Sequence, residues 1–228
     1  MKLAAVGDLH CRVEQSGYWA PRLRAVNDEA DVLLLTGDLT LNGGLDQLDV
    51  LLGELRVVTV PVVTVLGNHD YASGRARVFG ERLRRAGIRN LEGAATTVGD
   101  VTFVGAMGAE GGFTDSPEKR RWSYAEQQVM ARLTHYLQAA DGGPRVVVLH
   151  YAPILQTLEG EARRLLPVLG STALEVAIDT AGADLVLHGH AHFGTHAGMT
   201  RGGVPVYNVA LPVLQRAGYA TPYRIFEV

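Results

Sequence analysis

The chain has 228 residues, 47% of them apolar and 20% charged, with a formal net charge of −3. That is enough for one large α/β domain with a substantial core, and the slight acidity gives no signature of nucleic-acid or anionic-membrane binding. A single cysteine, Cys11, excludes an internal disulfide and a cysteine-based zinc cluster. The N-terminus lacks the apolar segment of a signal peptide, and no stretch approaches the roughly 18 apolar residues of a spanning helix. The expectation is a cytoplasmic protein; its oligomeric state is not readable from the sequence.

The apolar run Leu3–Val6 reads as a strand ending in Gly7-Asp8. Ala20–Ala30 reads as a helix. A second strand, Val32–Leu35, runs through Thr36 into Gly37-Asp38. Gly44–Leu55 repeats leucine with the period of an amphipathic helix. A third strand, Val62–Leu66, ends in Gly67-Asn68-His69-Asp70. The motifs at Asp8, Asp38 and Asn68 recur every 30 residues, about the length of a strand, crossover helix and return to the next parallel strand. Gly74–Ala86 is an arginine-rich helix, read as a solvated face. Ile88–Leu91, Thr96–Val98 and Val101–Ala106 are short strands, with Gly99-Asp100 as a hairpin turn.

Gly108–Arg121 reads as a long loop, and its Lys119, Arg120 and Arg121 read as solvated. Tyr124–Ala140 is a helix with Ser123 as N-cap. Val146–Leu149 ends in His150, a helix covers Thr172–Ala181, and Leu185–Leu187 ends in His188-Gly189-His190-Ala191-His192. Thr195–Met199, Val204–Val209 and Arg224–Val228 suggest an antiparallel set. No linker or repeat interrupts the chain, so residues 1–228 read as a single domain. The pattern predicts two sheets, one from each half, packed face to face with helices outside.

Five apolar runs therefore end in chemistry-bearing residues. The carboxyl edge of such sheets is where α/β proteins build sites. It collects Asp8, His10, Asp38, Asn68, His69, His150, His190 and His192. Carboxylates and imidazoles packed so densely need compensation, and a metal ion is the usual one. Mixed oxygen and imidazole donors suit manganese, iron, zinc, cobalt or nickel better than calcium or magnesium, with manganese or iron favoured here. Seven ligands exceed one tetrahedral zinc and suit two ions sharing a carboxylate, for which Asp38 is the central choice. His188 and His135 read as structural, His196 as a surface residue and Cys11 as inert.

Gly7-Asp8-Leu9-His10, Gly37-Asp38, Gly67-Asn68-His69-Asp70, His150 and Gly189-His190-Ala191-His192 together resemble the five-part signature of the calcineurin-like metallophosphoesterase superfamily. The resemblance implies a four-layer α/β/β/α sandwich of two mixed sheets flanked by helices. It implies one metal on Asp8, His10 and His192, the other on Asn68, His150 and His190, and Asp38 between them with a hydroxide or water as nucleophile. It leaves His69 free to stabilise charge and protonate the leaving oxygen, with Asp70 orienting it.

Gly37-Asp38-Leu39-Thr40 lacks the Asp-Arg-Gly continuation of serine/threonine protein phosphatases, and Asp70 stands where those enzymes carry glutamate. Both features look more like the bacterial phosphodiesterase branch. The expected function is hydrolysis of a small phosphoester, with a phosphodiester favoured. The alternatives are a phosphomonoesterase and a non-catalytic metal-binding scaffold.

Overall fold

A computed structural model describes residues 1–228. Eleven strands form two sheets. The first contains β1 (Lys2–Val6), β2 (Val32–Thr36), β3 (Val62–Val65), β4 (Arg89–Asn90) and β11 (Arg224–Glu227), ordered β11-β1-β2-β3-β4. The second contains β5 (Ala94–Val98), β6 (Val101–Ala106), β7 (Arg145–Leu149), β8 (Leu185–His188), β9 (Ala197–Met199) and β10 (Pro205–Asn208), ordered β5-β6-β7-β8-β10-β9. Both sheets are mixed: β1, β2, β3 and β4 pair in parallel while β11 is antiparallel to β1, and β6, β7, β8 and β10 pair in parallel between antiparallel β5 and β9.

Apolar runs without polar alternation belong to strands covered on both faces. Alternate residues here enter different cores. Leu3, Ala5, Val32 and Leu34 meet Phe103, Val146, Val148 and Leu187 between the sheets. Ala4, Val6, Leu33 and Leu35 point the other way, against Leu48 and Leu51 of the helix Leu45–Leu55 and Phe79 and Leu83 of the helix Ala76–Arg85. Val147, Leu149 and Val186 pack on Leu133, Leu137, Leu174 and Ile178 from the helices Tyr124–Gln138 and Thr172–Ala181. Three apolar cores separate four layers, helix, sheet, sheet and helix, as the resemblance implies.

Three sequence expectations change in detail. The sheets do not divide by chain half: β5 and β6 join the second sheet, because their hairpin at Gly99-Asp100 sets β6 beside β7 and buries Phe103 between the sheets. The last three strands are not one antiparallel set. β10 also runs parallel to β8, while β11 covers the open edge of β1 with Phe226 opposite Leu3. The helix expected over Ala20–Ala30 is two single turns, Ala20–Leu23 and Val26–Glu29.

The first of those turns lacks a cap of its own and is held from outside. The buried Glu54 carboxylate accepts hydrogen bonds from the N–H groups of Gly17, Trp19 and Ala20 at 2.6, 2.9 and 2.8 Å. Burial resists its ionisation, but the three donors prevail and hold its pKa below the ordinary glutamate value. A depressed carboxyl stabilises the fold above its unfolded-state pKa, and that stability is lost as pH falls through the folded value. Glu54→Gln is therefore expected to cost about 2 kcal/mol near pH 7 in urea denaturation. The gap between the two proteins should close in acid.

Candidate metal centre

Five strand ends deliver the predicted residues to one place. Asp8 follows β1, Asp38 follows β2, Asn68 follows β3, His150 follows β7, and His190 and His192 follow β8. Beyond the strands the first two loops stay paired: the N–H groups of Asp8, His10 and Cys11 donate to the carbonyls of Gly37, Asp38 and Leu39, each at 2.9 Å. The backbone bends sharply to aim these side chains. Only four non-glycine residues have positive φ, namely Asp8 (59°), His10 (43°), Asp38 (49°) and His190 (69°). All four belong to the predicted ligand set. Aspartate and histidine tolerate this left-handed region better than most residues, and such strain clusters at functional sites.

Glycine makes the close approach workable at two points. Gly37 sits at φ 88° against the His150 ring. A Cβ on Gly67 would collide with the Asp38 carboxylate and backbone.

The side chains then converge. His10 Nε2 lies 3.6 Å from Asp38 Oδ2 and His150 Nε2 lies 3.4 Å from Asp38 Oδ1. His192 Nε2 lies 2.9 Å from Asp8 Oδ1, and the His150 and His190 rings, tilted by 55°, have centres 4.7 Å apart. The donor atoms of Asp8, His10 and His192 can share one ion, and those of Asp38, His150 and His190 another. Asn68 Oδ1 stands 3.0 Å from His150 Nε2, beside the second group.

The hydrogen-bonding pattern of the cluster fits a bound cation. His150 Nδ1 can only donate to the Thr36 carbonyl, 2.9 Å away. In the neutral ring its Nε2 is then a bare acceptor, and it faces two more acceptors, Asn68 Oδ1 and Asp38 Oδ1. Burial holds the His150 pKa down at about 3 and that of His10 at about 4, so both rings are neutral. His10 Nδ1 is buried with no partner at all. Burial, helped by the Asp8 and Asp70 charges, pushes Asp38 up to about 9. Neutral imidazoles are the form that binds metal, a bound cation would return the Asp38 carboxyl to its anion, and the donor set fits divalent transition ions.

Backbone carbonyls orient three of the rings. Thr36 holds His150, Val168 lies 3.2 Å from His190 Nε2, and Leu41 lies 2.5 Å from His69 Nδ1. A carbonyl fixing one imidazole nitrogen frees the other for the site. The His69 N–H also donates to Asp38 Oδ1 at 2.9 Å, while His69 Nε2 stands 4.0 Å from Asp38 Oδ2 on a side chain that is 42% exposed.

Asp70 differs from its sequence expectation. It makes no hydrogen bond to the His69 ring, because its buried carboxylate is committed elsewhere. It accepts from Leu39 N, Thr40 N, Thr40 Oγ1 and Gly67 N at 3.1, 2.9, 2.8 and 3.0 Å. Asp70 ties the Asp38 loop to the Asn68 loop.

The remaining residues singled out in the sequence lie as follows. His188 is fully buried between Thr157 Oγ1 and the Gly189 carbonyl, at 2.8 Å each. His196 and His135 are exposed, and Cys11 is buried with its thiol pushed up by burial to about 11. Arg120 pins the Gly108–Arg121 loop to Gly112 and Glu126. Sequence reasoning passed over Tyr151, whose ring packs edge-on against His190 at 4.6 Å and whose hydroxyl donates to Glu110. Its only signal was its place next to His150.

Comparisons with known proteins agree with this fold. The profile described as calcineurin-like phosphoesterase matches residues 1–194. A search of curated protein sequences gave no match. Among solved structures, the phosphopantetheinyl hydrolase of Mycobacterium tuberculosis is similar at 18% identity and a TM-score of 0.72, covering 99% of this chain and 95% of its own. A Thermus thermophilus protein is similar at 17% identity and a TM-score of 0.58, covering 91% and 88%. A protein described as a putative 5′-nucleotidase of Staphylococcus aureus gives 15% identity and a TM-score of 0.58, covering 91% of this chain but 48% of its own. At these identities the likeness is one of fold.

Removing the Asp70 carboxylate strands three buried N–H groups. Asp70→Ala is expected to lose about 3 kcal/mol or more of stability in urea denaturation and to weaken manganese binding. Unchanged stability and unchanged metal affinity together would contradict the tie assigned to Asp70.

Proposed function

The chain belongs to the calcineurin-like phosphoesterase family, a family of metal-dependent phosphoester hydrolases, and from that premise we propose that it works with two divalent transition-metal ions and cleaves phosphodiesters. The observation that supports the two-ion reading is the crowding of donor atoms from His10, Asn68 and His150 around the Asp38 carboxyl. Asp8, His10 and His192 would hold one ion, and Asn68, His150 and His190 the other, with the Asp38 carboxylate serving both. Ions bound there supply Lewis-acid charge for the phosphoryl oxygens and make water acidic enough to attack at neutral pH. Manganese or iron fits the oxygen and imidazole donors best.

The residues of the chain do the rest. The bent backbone at Asp8, His10, Asp38 and His190 aims the donors before substrate arrives, so little reorganisation remains. Leu41 takes the Nδ1–H of His69, so in the doubly protonated ring the Nε2–H would point toward solvent and substrate. His69 is therefore the group that stabilises charge on the phosphoryl oxygen and protonates the departing alkoxide. The preference for diesters rests on Gly37-Asp38-Leu39-Thr40 and Gly67-Asn68-His69-Asp70, which resemble bacterial phosphodiesterases. In this chain Thr40 and Asp70 hydrogen-bond to each other and hold the two motifs at fixed spacing.

Manganese-loaded protein is expected to hydrolyse bis(p-nitrophenyl) phosphate and to stop when a chelator is added. His69→Ala should lower kcat by about 10²- to 10⁴-fold with metal content unchanged. Asp38→Asn should lose metal outright. Full turnover by His69→Ala would remove His69 from the chemistry. Fully loaded protein inert toward every phosphoester would instead favour a metal-binding scaffold.

A further inference from the structure

Four large apolar side chains stand partly in solvent on two segments tied to the His190 and His192 loop. Leu155, Leu165, Val168 and Phe193 are 44%, 38%, 43% and 69% exposed. The first three lie on one strap, Leu155–Gly170, and Phe193 follows His192 directly.

The strap is fastened to the histidine loop at several points. Beneath it, Leu158 and Leu169 pack with Ala152 and Ala191 in a small closed core. Phe193 N donates to Glu161 Oε1 at 2.7 Å, Thr195 Oγ1 donates to the Gln156 carbonyl at 2.7 Å, and Thr157 Oγ1 meets His188. The inner apolar residues thus already have their core, while the outer four keep 38% to 69% of their surface exposed. Exposed apolar side chains that rim a polar site are available for ligand contact.

The position of the patch indicates what binds. The Val168 carbonyl is itself on His190 Nε2 at 3.2 Å. Phe193 is one residue, about 3.8 Å of backbone, from His192. The Val168 and Phe193 positions thus flank two of the predicted ligands, on the path that a substituent on a phosphoryl group at the centre would take. Arg216 lies over the Phe193 ring at 5.6 Å and donates to the Gly194 carbonyl, which steadies the ring from behind. Arg163 and Arg164 on the same strap have no acidic partner, which suits an anionic ligand.

We propose that the strap and Phe193 form the wall that receives an apolar ester arm of the substrate, aliphatic or aromatic, so that this protein selects phosphoesters of apolar alcohols over those of small polar ones. The proposal rests on the reading of the neighbouring cluster as a phosphoesterase centre.

Phosphonates test it without turnover. Manganese-loaded protein is titrated by calorimetry with methylphosphonate, n-butylphosphonate and phenylphosphonate, which carry the same anionic head. The butyl and phenyl compounds are expected to bind about tenfold more tightly than the methyl compound, as burial of one small apolar group against the wall requires. Phe193→Ala should narrow that preference to about two- to threefold. Val168→Ala, a smaller change on the other side of the wall, should narrow it in the same direction. Equal affinities, or a preference that survives both substitutions, would overturn the wall. Diester hydrolysis without the preference counts against the wall alone. Phosphonate binding with the preference but no hydrolysis of any phosphoester counts against the catalytic reading alone.

Discussion

The buried Asp38 carboxylate sets the terms for the rest of this structure. It lies within 3.6 Å of His10 and His150 and takes a hydrogen bond from the His69 backbone. Asn68 and His150 turn acceptor atoms toward the same space. In an apolar interior such a group is unfavourable as an anion, which is why its pKa rises when nothing positive is near. Cations reverse that sign. The same low dielectric that penalises an unpaired carboxylate strengthens its hold on a divalent ion.

Everything around Asp38 reads as a means of keeping acceptors together against their mutual repulsion. Parallel strands from two sheets bring five chain segments to one edge, and three apolar cores fix those strands. Local strain concentrates there, with every positive-φ aspartate and histidine in the chain among the converging residues. Asp70 locks the spacing of two loops through four hydrogen bonds, and carbonyls of Thr36, Leu41 and Val168 set the rings. Fold stability thus sustains an arrangement that the local chemistry opposes, a usual division of labour at reactive sites.

What the sequence made legible was side-chain identity at strand ends. The 30-residue rhythm of Asp8, Asp38 and Asn68 places those residues on one edge, and the helix Thr172–Ala181 and the Ser123 cap appear where periodicity and capping chemistry put them. Sheet membership was less legible. β6 and β11 pair across long sequence separations, where hydrophobic pattern says that a strand is buried but not beside which neighbour. The orienting carbonyls were invisible for a different reason: every residue has one, so no residue type marks Leu41 or Val168. Asp70 is the instructive case. Its type and position suggested a partner for His69, yet a carboxylate surrounded by backbone N–H groups satisfies those first.

The two-ion centre is the claim on which the catalytic reading turns. Anomalous diffraction from crystals grown with manganese tests it directly. The account predicts two peaks on either side of the Asp38 carboxylate, about 3.5–4 Å apart, one beside Asp8, His10 and His192 and the other beside Asn68, His150 and His190. A single peak that leaves either trio without an ion, or manganese bound elsewhere in the chain, would contradict it.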